Sequence, residues 1–442
     1  MKGRKRLVCF ILILVPLLVS CTSRTIPSSS SEIESATTQR KTEPGTESPI
    51  IALPVSPVIS DKRISVYRNG LSHCFTLSET GIYCVAYEKN GTFALYCDSQ
   101  SDEFVKLCSR VDCPHSDETC DAYLDSSRPY LGYYKGNLYY IKPGRLQIKT
   151  SENGKQYYEK TPAELWQMDR DGRNKKGVTY CWEKEENVTG YGAVSFTNGI
   201  VEGRFKKVED DGTVVYSRRY TSLDHPDIFT ETAGSEQLPS VEENSNGSIL
   251  GNDGDKIIIQ DNSQKKNPNT DDGKTYLSLY TWDPVENSID YIGDRPVMAG
   301  YFGTETAFVV EEGILKQWNY QTYTGTALFD TGIKTNLSLY TFPDCFALCD
   351  TYEYGMLEDG VIPEIVIRFY DWDYGFLGEC KLSFNKEQTR YGNYFFGETE
   401  DRLLIVKNSA SSRPDYYIEK SDLGRGEITL HEYRYPEMDV RE

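Results

Sequence analysis

Histidine is nearly absent from this chain. Its 442 residues include four, at positions 73, 115, 225 and 431. None stands beside a serine or cysteine in a recognised nucleophile motif. Gly-x-Ser-x-Gly, His-Glu-x-x-His and the phosphate-binding glycine loop are all missing, which leaves the commonest hydrolase and nucleotide-binding classes without support. Positive charge is also short: 48 Lys and Arg against 67 Asp and Glu give a formal charge of −19. Such a surface repels phosphate backbones, so no nucleic acid is expected as a partner. Helical signal is lacking as well, because no window of the body sustains an apolar stripe at helical spacing. The longest apolar run, residues 7–19, falls short of the roughly 20 residues that a spanning helix needs.

That run belongs to an export signal. Residues 2–6 are basic (Lys2, Arg4, Lys5, Arg6), the apolar stretch follows, and Ser20 and Cys21 close it. Leu18-Val-Ser-Cys21 resembles a bacterial lipobox. The resemblance implies cleavage before Cys21, a diacylglycerol on its thiol, and a protein held at the outer face of the cell membrane. Cleavage would delete four basic side chains and no acid, taking the charge from −19 to −23. Residues 21–60 are rich in Ser, Thr, Pro and Glu and carry the run Ser28-Ser-Ser-Ser31. They lack apolar periodicity and read as a disordered tether. The folded body is then residues 61–442.

What the body has in quantity is aromatics and turns. There are 33 Tyr, 17 Phe and 5 Trp, residues that suit a half-buried pleated surface. Short strands of about 4–7 residues, rich in β-branched and aromatic side chains, alternate with Gly, Asn and Asp. They fall into seven clusters, the clearest around Gly136–Ile141 with Glu164–Val178, where Asp171-Gly172 is hairpin chemistry. Clusters recurring about every 50 residues predict an all-β fold, a propeller of about seven four-stranded blades. Terminal segments are expected to complete a blade and close the ring, with Ile64–Tyr67 and Ile428–His431 as candidates.

Leu165-Trp-x-x-Asp-x-Asp-Gly-x-Asn174 resembles the blade repeat of TolB-like propellers. It is also similar to a repeat in uncharacterised clostridial-type lipoproteins. Tyr280-Thr-Trp-Asp283 and Tyr370-Asp-Trp-Asp373 keep part of it. The resemblance implies a propeller and leaves the ligand open, since such repeats serve proteins with different tasks. The acidic turns imitate the first half of a calcium loop, but the third oxygen and the distant Glu are misplaced, so they read as blade turns.

One stretch is unlike the rest. Cys108, Cys113, His115 and Cys120 fall within 13 positions. Three soft thiolates and an imidazole are a zinc donor set, although the spacing is not that of a standard finger. An exported chain also tends to oxidise its thiols. Cys84, Cys97, Cys108, Cys113 and Cys120 are therefore disulfide candidates, with Cys84 and Cys97 flanking one hairpin. Cys345 and Cys349 lie four apart on one strand and read as packing thiols on a common face. No cofactor is expected apart from zinc at the four-residue cluster.

Three functions compete. The leading one is a surface-anchored module that binds a protein or carbohydrate through its propeller, helped by solvent-facing tyrosines, and is not an enzyme. The second is a carbohydrate-active enzyme using carboxylates of the central funnel. The third is a metal-handling protein built on Cys108, Cys113, His115 and Cys120.

Overall fold

The computed structural model describes residues 75–437, leaving out 127–128, 143, 152–153, 155, 182–187, 198, 209–212, 228, 233–247, 254, 262–264, 267–274, 297–299, 304–306, 334–336, 351–363, 384–394 and 407–412. The signal, Cys21, the tether and Ile64–Tyr67 lie outside the described residues. The chain is nearly all β, and among the described residues no helix is long and apolar enough to cross a membrane.

Seven antiparallel sheets follow one another along the chain. Blade 1 runs Phe75–Leu77, Gly81–Glu88, Gly91–Asp98 and Val105–Lys106. Blade 2 holds Leu131–Tyr134, Asn137–Lys142, Glu164–Asp169 and Lys176–Tyr180, with an added hairpin of Arg145–Thr150 and Gln156–Thr161. Blades 3, 4 and 5 span Val188–Glu231, Ser248–Pro296 and Gly300–Asp330. Blade 6 begins at Leu337 and ends at Ser383, and blade 7 is Phe395–Glu398, Arg402–Val406, Tyr416–Glu419 and His431–Glu432. The first strands of successive blades neighbour one another, as Phe75–Leu77 does Leu131–Tyr134, and so stand at the centre of the ring. The Thr76 hydroxyl accepts the Tyr133 N–H at 3.1 Å across one such step.

Alternation along the strands supplies the glue. In Gly81–Glu88, Ile82, Cys84 and Ala86 face blade 7, while Tyr83 and Val85 face blade 2. Residues Tyr139 and Ile141 pack toward blade 3, and Tyr140 toward blade 1. A strand buried on both faces must be apolar at every position, which is why the second strands read Ile-Tyr-Cys-Val-Ala and Leu-Leu-Ile-Val. Seven apolar clusters result, one at each joint between blades.

A terminal segment completes a blade at the C-terminal side, as expected, while Ile64–Tyr67 lies outside the described residues. His431–Glu432 is the fourth strand of blade 7, and Gly426–Glu427 adds a parallel edge to blade 6. Blade 1 receives only a single bridge, Glu103 to Arg434. The seam holds instead through Arg434 to Asp102 at 2.6 Å, the Phe104 N–H to the Arg434 carbonyl at 2.8 Å, and Arg402 to the Ser101 carbonyl at 2.6 Å. Phe104 stacks on Tyr435 behind them, with ring centroids 4.7 Å apart.

Two expectations are corrected. No disulfide joins two of the described cysteines. Register explains one pair: Cys84 lies opposite Leu95 and Cys97 opposite Ile82, so the two sit diagonally. Cys108, Cys113 and Cys120 stand as separate thiols around His115, because the loop wraps the imidazole in among the sulfurs. Fully solvent-facing tyrosines are also few: the described ones are mostly half-buried or buried, and Tyr291 is the one exposed among those whose burial is described. Cys345 and Cys349 do share a face, packed with Cys380 in the joint of blades 6 and 7.

Candidate metal centre

The third strand of blade 1, Gly91–Asp98, has its outer edge covered twice. Val105–Lys106 pairs with one part, and Tyr123–Leu124 pairs with another. Both are fixed at Ala94: its carbonyl accepts the Leu107 N–H at 2.9 Å, and its N–H donates to the Ala122 carbonyl at 2.8 Å. The excursion between them is a closed loop whose ends touch. It carries Cys108, Cys113, His115 and Cys120.

Local chemistry shapes this loop. Asp117 caps its own turn, accepting the Thr119 N–H at 2.9 Å and the Thr119 hydroxyl at 2.6 Å. The Cys120 N–H then bonds to the Asp117 carbonyl at 3.1 Å. His115 takes a left-handed backbone, φ 53°, rare for a side chain of its size. Lys106 steadies it by donating to the His115 carbonyl at 2.6 Å while pairing with buried Glu88 at 2.8 Å.

All four expected side chains come together. Their sulfur and nitrogen ligand atoms lie within 4.8 Å of one another, and Cys120 Sγ stands 3.6 Å from His115 Nδ1. Zinc at bond lengths of about 2.3 Å to sulfur and 2.0–2.1 Å to nitrogen would set tetrahedral neighbours about 3.5–3.8 Å apart. The cluster therefore matches that geometry after a small contraction. Cys113 and Cys120 are buried, and Cys108 and His115 are partly open.

Each sulfur accepts a backbone N–H from two residues further on. Cys108 takes it from Arg110, Cys113 from His115 at 3.4 Å, and Cys120 from Ala122. Cys108 accepts a second from Asp121. Arg110 donates its guanidinium to Cys113 at 3.4 Å and also to Cys108. Donors aimed at sulfur favour the charged form, which is the form that binds metal. Burial works to raise the Cys108 thiol, yet these donors hold it below its ordinary value. Burial pushes the Cys120 thiol up to about 12, against the N–H of Ala122.

Blade 2 meets the loop through the turn after Met168. Gly172, at φ 85°, packs against the loop so closely that a Cβ there would lie 2.5 Å from the Leu107 carbonyl and 2.8 Å from that of Asp121. Lys175 donates to the Asp121 carbonyl at 2.5 Å. The Asp121 carboxylate meets Arg110 at 3.5 Å and Arg173 at 3.9 Å. The four side chains that the sequence groups together do converge, while Asp171-Gly172 reads in the sequence as a hairpin alone. Arg110, Lys106, Gly172 and Lys175 were missed; only the basic residue inside the motif, Arg110, carried a local signal.

Taken together, the fold is a seven-bladed propeller with a cluster of three cysteines and a histidine on the outer edge of its first blade. No protein-family profile matches the chain, and no curated protein matches it in sequence. Among solved structures it is similar to a puromycin hydrolase S511A mutant complexed with PGG, at 11% identity and TM-score 0.45, covering 89% of this chain and 56% of that one. The chain thus spans little more than half of that protein. It is also similar to TolB from Acinetobacter baumannii, at 12% identity and TM-score 0.27, covering 81% and 80%. The propeller domain of the Pyrococcus furiosus Trilobed protease, described as an open velcro topology, is similar at 10% identity and TM-score 0.29, covering 69% and 93%.

Proposed function

We propose that this chain is an extracytoplasmic propeller, lipid-anchored at Cys21, that binds a protein or carbohydrate partner and carries one zinc ion on Cys108, Cys113, His115 and Cys120. The observation that carries the metal reading is the convergence of three thiols and an imidazole within 4.8 Å, each sulfur already served by N–H donors. Four protein ligands fill a tetrahedral sphere and leave no position for water or substrate, so the ion would act structurally rather than as a Lewis acid. Its role is to hold a loop that has no regular structure of its own.

Binding rather than catalysis is favoured by how the buried acids are used. Glu202 pairs with Arg218 at 3.3 Å, Glu88 with Lys106, and Glu398 with Lys420 at 2.8 Å. Asp294 accepts the Ser278 hydroxyl at 2.9 Å and the Tyr323 hydroxyl at 2.7 Å. These carboxylates serve the framework. The test is metal content of the full chain, purified in detergent under nitrogen. One zinc per chain is expected, lost in Cys113→Ser. Cobalt replacing it should show intense thiolate charge-transfer bands. Zinc-free protein that also refuses added zinc and cobalt overturns the reading.

A further inference from the structure

The ligand loop has two ends, and blade 2 holds both. The residue before the first ligand is Leu107, and the residue after the last is Asp121. The carbonyls of these two flank Gly172, which leaves no room there for a Cβ. Lys175 donates to one of them, the Asp121 carbonyl, at 2.5 Å. Arg173 reaches across to the Ser109 hydroxyl and the Asp121 carboxylate. Beneath, Cys113 and Cys120 pack in one cluster with Leu131, Leu138, Tyr140 and Met168 of blade 2.

From this placement we infer that blade 2 supplies the outer shell of the metal centre: Gly172 and Lys175 are positioning residues that set its metal affinity without touching the ion. This rests on the metal reading above. The turn itself is rigid enough for the task. Its Gly172 N–H bonds back to the Asp169 carbonyl at 2.9 Å, and the Asn174 amide donates to the Asp169 carboxylate at 2.6 Å. Pinning both ends of the loop fixes the Cys108 to Cys120 span before metal arrives, so less conformational freedom is lost on binding. Burial works against the charge on Lys175, while Asp121, Cys120 and Cys108 nearby favour it; three thiolates around a divalent ion would leave one excess negative charge for such a cation to offset. Coupling of this kind is reciprocal, so metal should in turn steady the blade 2 turn.

The test is a zinc competition titration on the full chain in detergent, with Gly172→Ala, Lys175→Met, Lys175→Arg and Cys113→Ser compared. Gly172→Ala and Lys175→Met should each weaken zinc about 10- to 100-fold, the usual range for outer-shell changes. Lys175→Arg should restore most of the loss. Cobalt-loaded Lys175→Met should keep the charge-transfer spectrum of three thiolates, since no ligand is removed. Amides of residues 169–174 should exchange more slowly with zinc than without. Wild-type affinity in both Gly172→Ala and Lys175→Met, with Cys113→Ser still inactive in binding, overturns this inference and leaves the metal site standing. Failure of the wild-type chain to bind metal overturns both.

Discussion

Cys108 and Cys120 share one cluster yet hold their protons oppositely. The Cys120 thiol is raised to about 12, and the Cys108 thiol is held below its ordinary value. Two predictions follow from the signs. Below about pH 12 the empty site keeps a proton on Cys120, so metal must expel it. Apparent zinc affinity should therefore rise with pH, by at least about tenfold per unit between pH 6 and 8. Chelator competition at three pH values measures this, and a flat profile contradicts it. In metal-free protein near neutral pH, Cys108 should react first with iodoacetamide among the described cysteines, because it is the one that is partly open and its thiol is held below its ordinary value. Mass mapping of modified peptides reads the order; Cys181, fully buried, should react only on unfolding. The four ligand residues were legible as a motif because they lie close in sequence. Gly172 and Lys175 were not, since nothing local ties a hairpin turn to a loop more than 50 residues earlier.

At the scale of the element, most strands were legible. The apolar runs Ile257–Gln260, Phe346–Cys349 and Leu403–Val406 are buried on both faces, and double burial leaves a continuous apolar signature. The first strand of each blade was harder to see. Gly300–Phe302 has three residues, and Val188–Thr197 is interrupted by two glycines and two register shifts. Turn chemistry was read correctly where one aspartate does the capping. Asp371 accepts the Asp373 N–H at 2.9 Å and the Gly375 N–H at 2.7 Å. The seam between blades 7 and 1 was out of reach, because it depends on Arg402. This residue is 8% exposed, bonds Glu419 at 3.0 Å as well as the Ser101 carbonyl, and lies 4.1 Å over the Tyr417 ring. Arg402→Met should cost about 2 kcal/mol, mainly through the lost charge-assisted bonds. Thermal unfolding against wild type checks this, and an unchanged midpoint would sink it.

Over the whole molecule, stability is spread around a circle. Each joint has its own apolar cluster, and a break in one exposes the faces of two blades. Deleting residues 431–442 removes the outer strand of blade 7 together with Tyr433, Arg434 and Tyr435, which close on Phe104 and Asp102. The shortened chain should lose its single sharp unfolding transition; retention of that transition in calorimetry would show that the seam is dispensable. At the other end, on the proposed anchor at Cys21, Cys21→Ala should abolish lipid labelling, and mild proteolysis between Cys21 and Phe75 of the wild-type chain should release the propeller from the membrane fraction; labelling that survives the substitution contradicts the anchor. A body that stays with the membrane after the tether is cut would point to a second attachment.

The seam has a further consequence. Among the described residues, the four main strands of each blade come from one continuous stretch of chain. Order around the ring is therefore independent of where the polypeptide starts. A circular permutant of residues 75–437 opened between blades 4 and 5, with a linker joining the end after Tyr435 to Phe75, keeps every described main sheet whole. In such a protein the seam would become an ordinary joint, and the loop of Cys108 to Cys120 would sit in the middle of the chain instead of near its beginning.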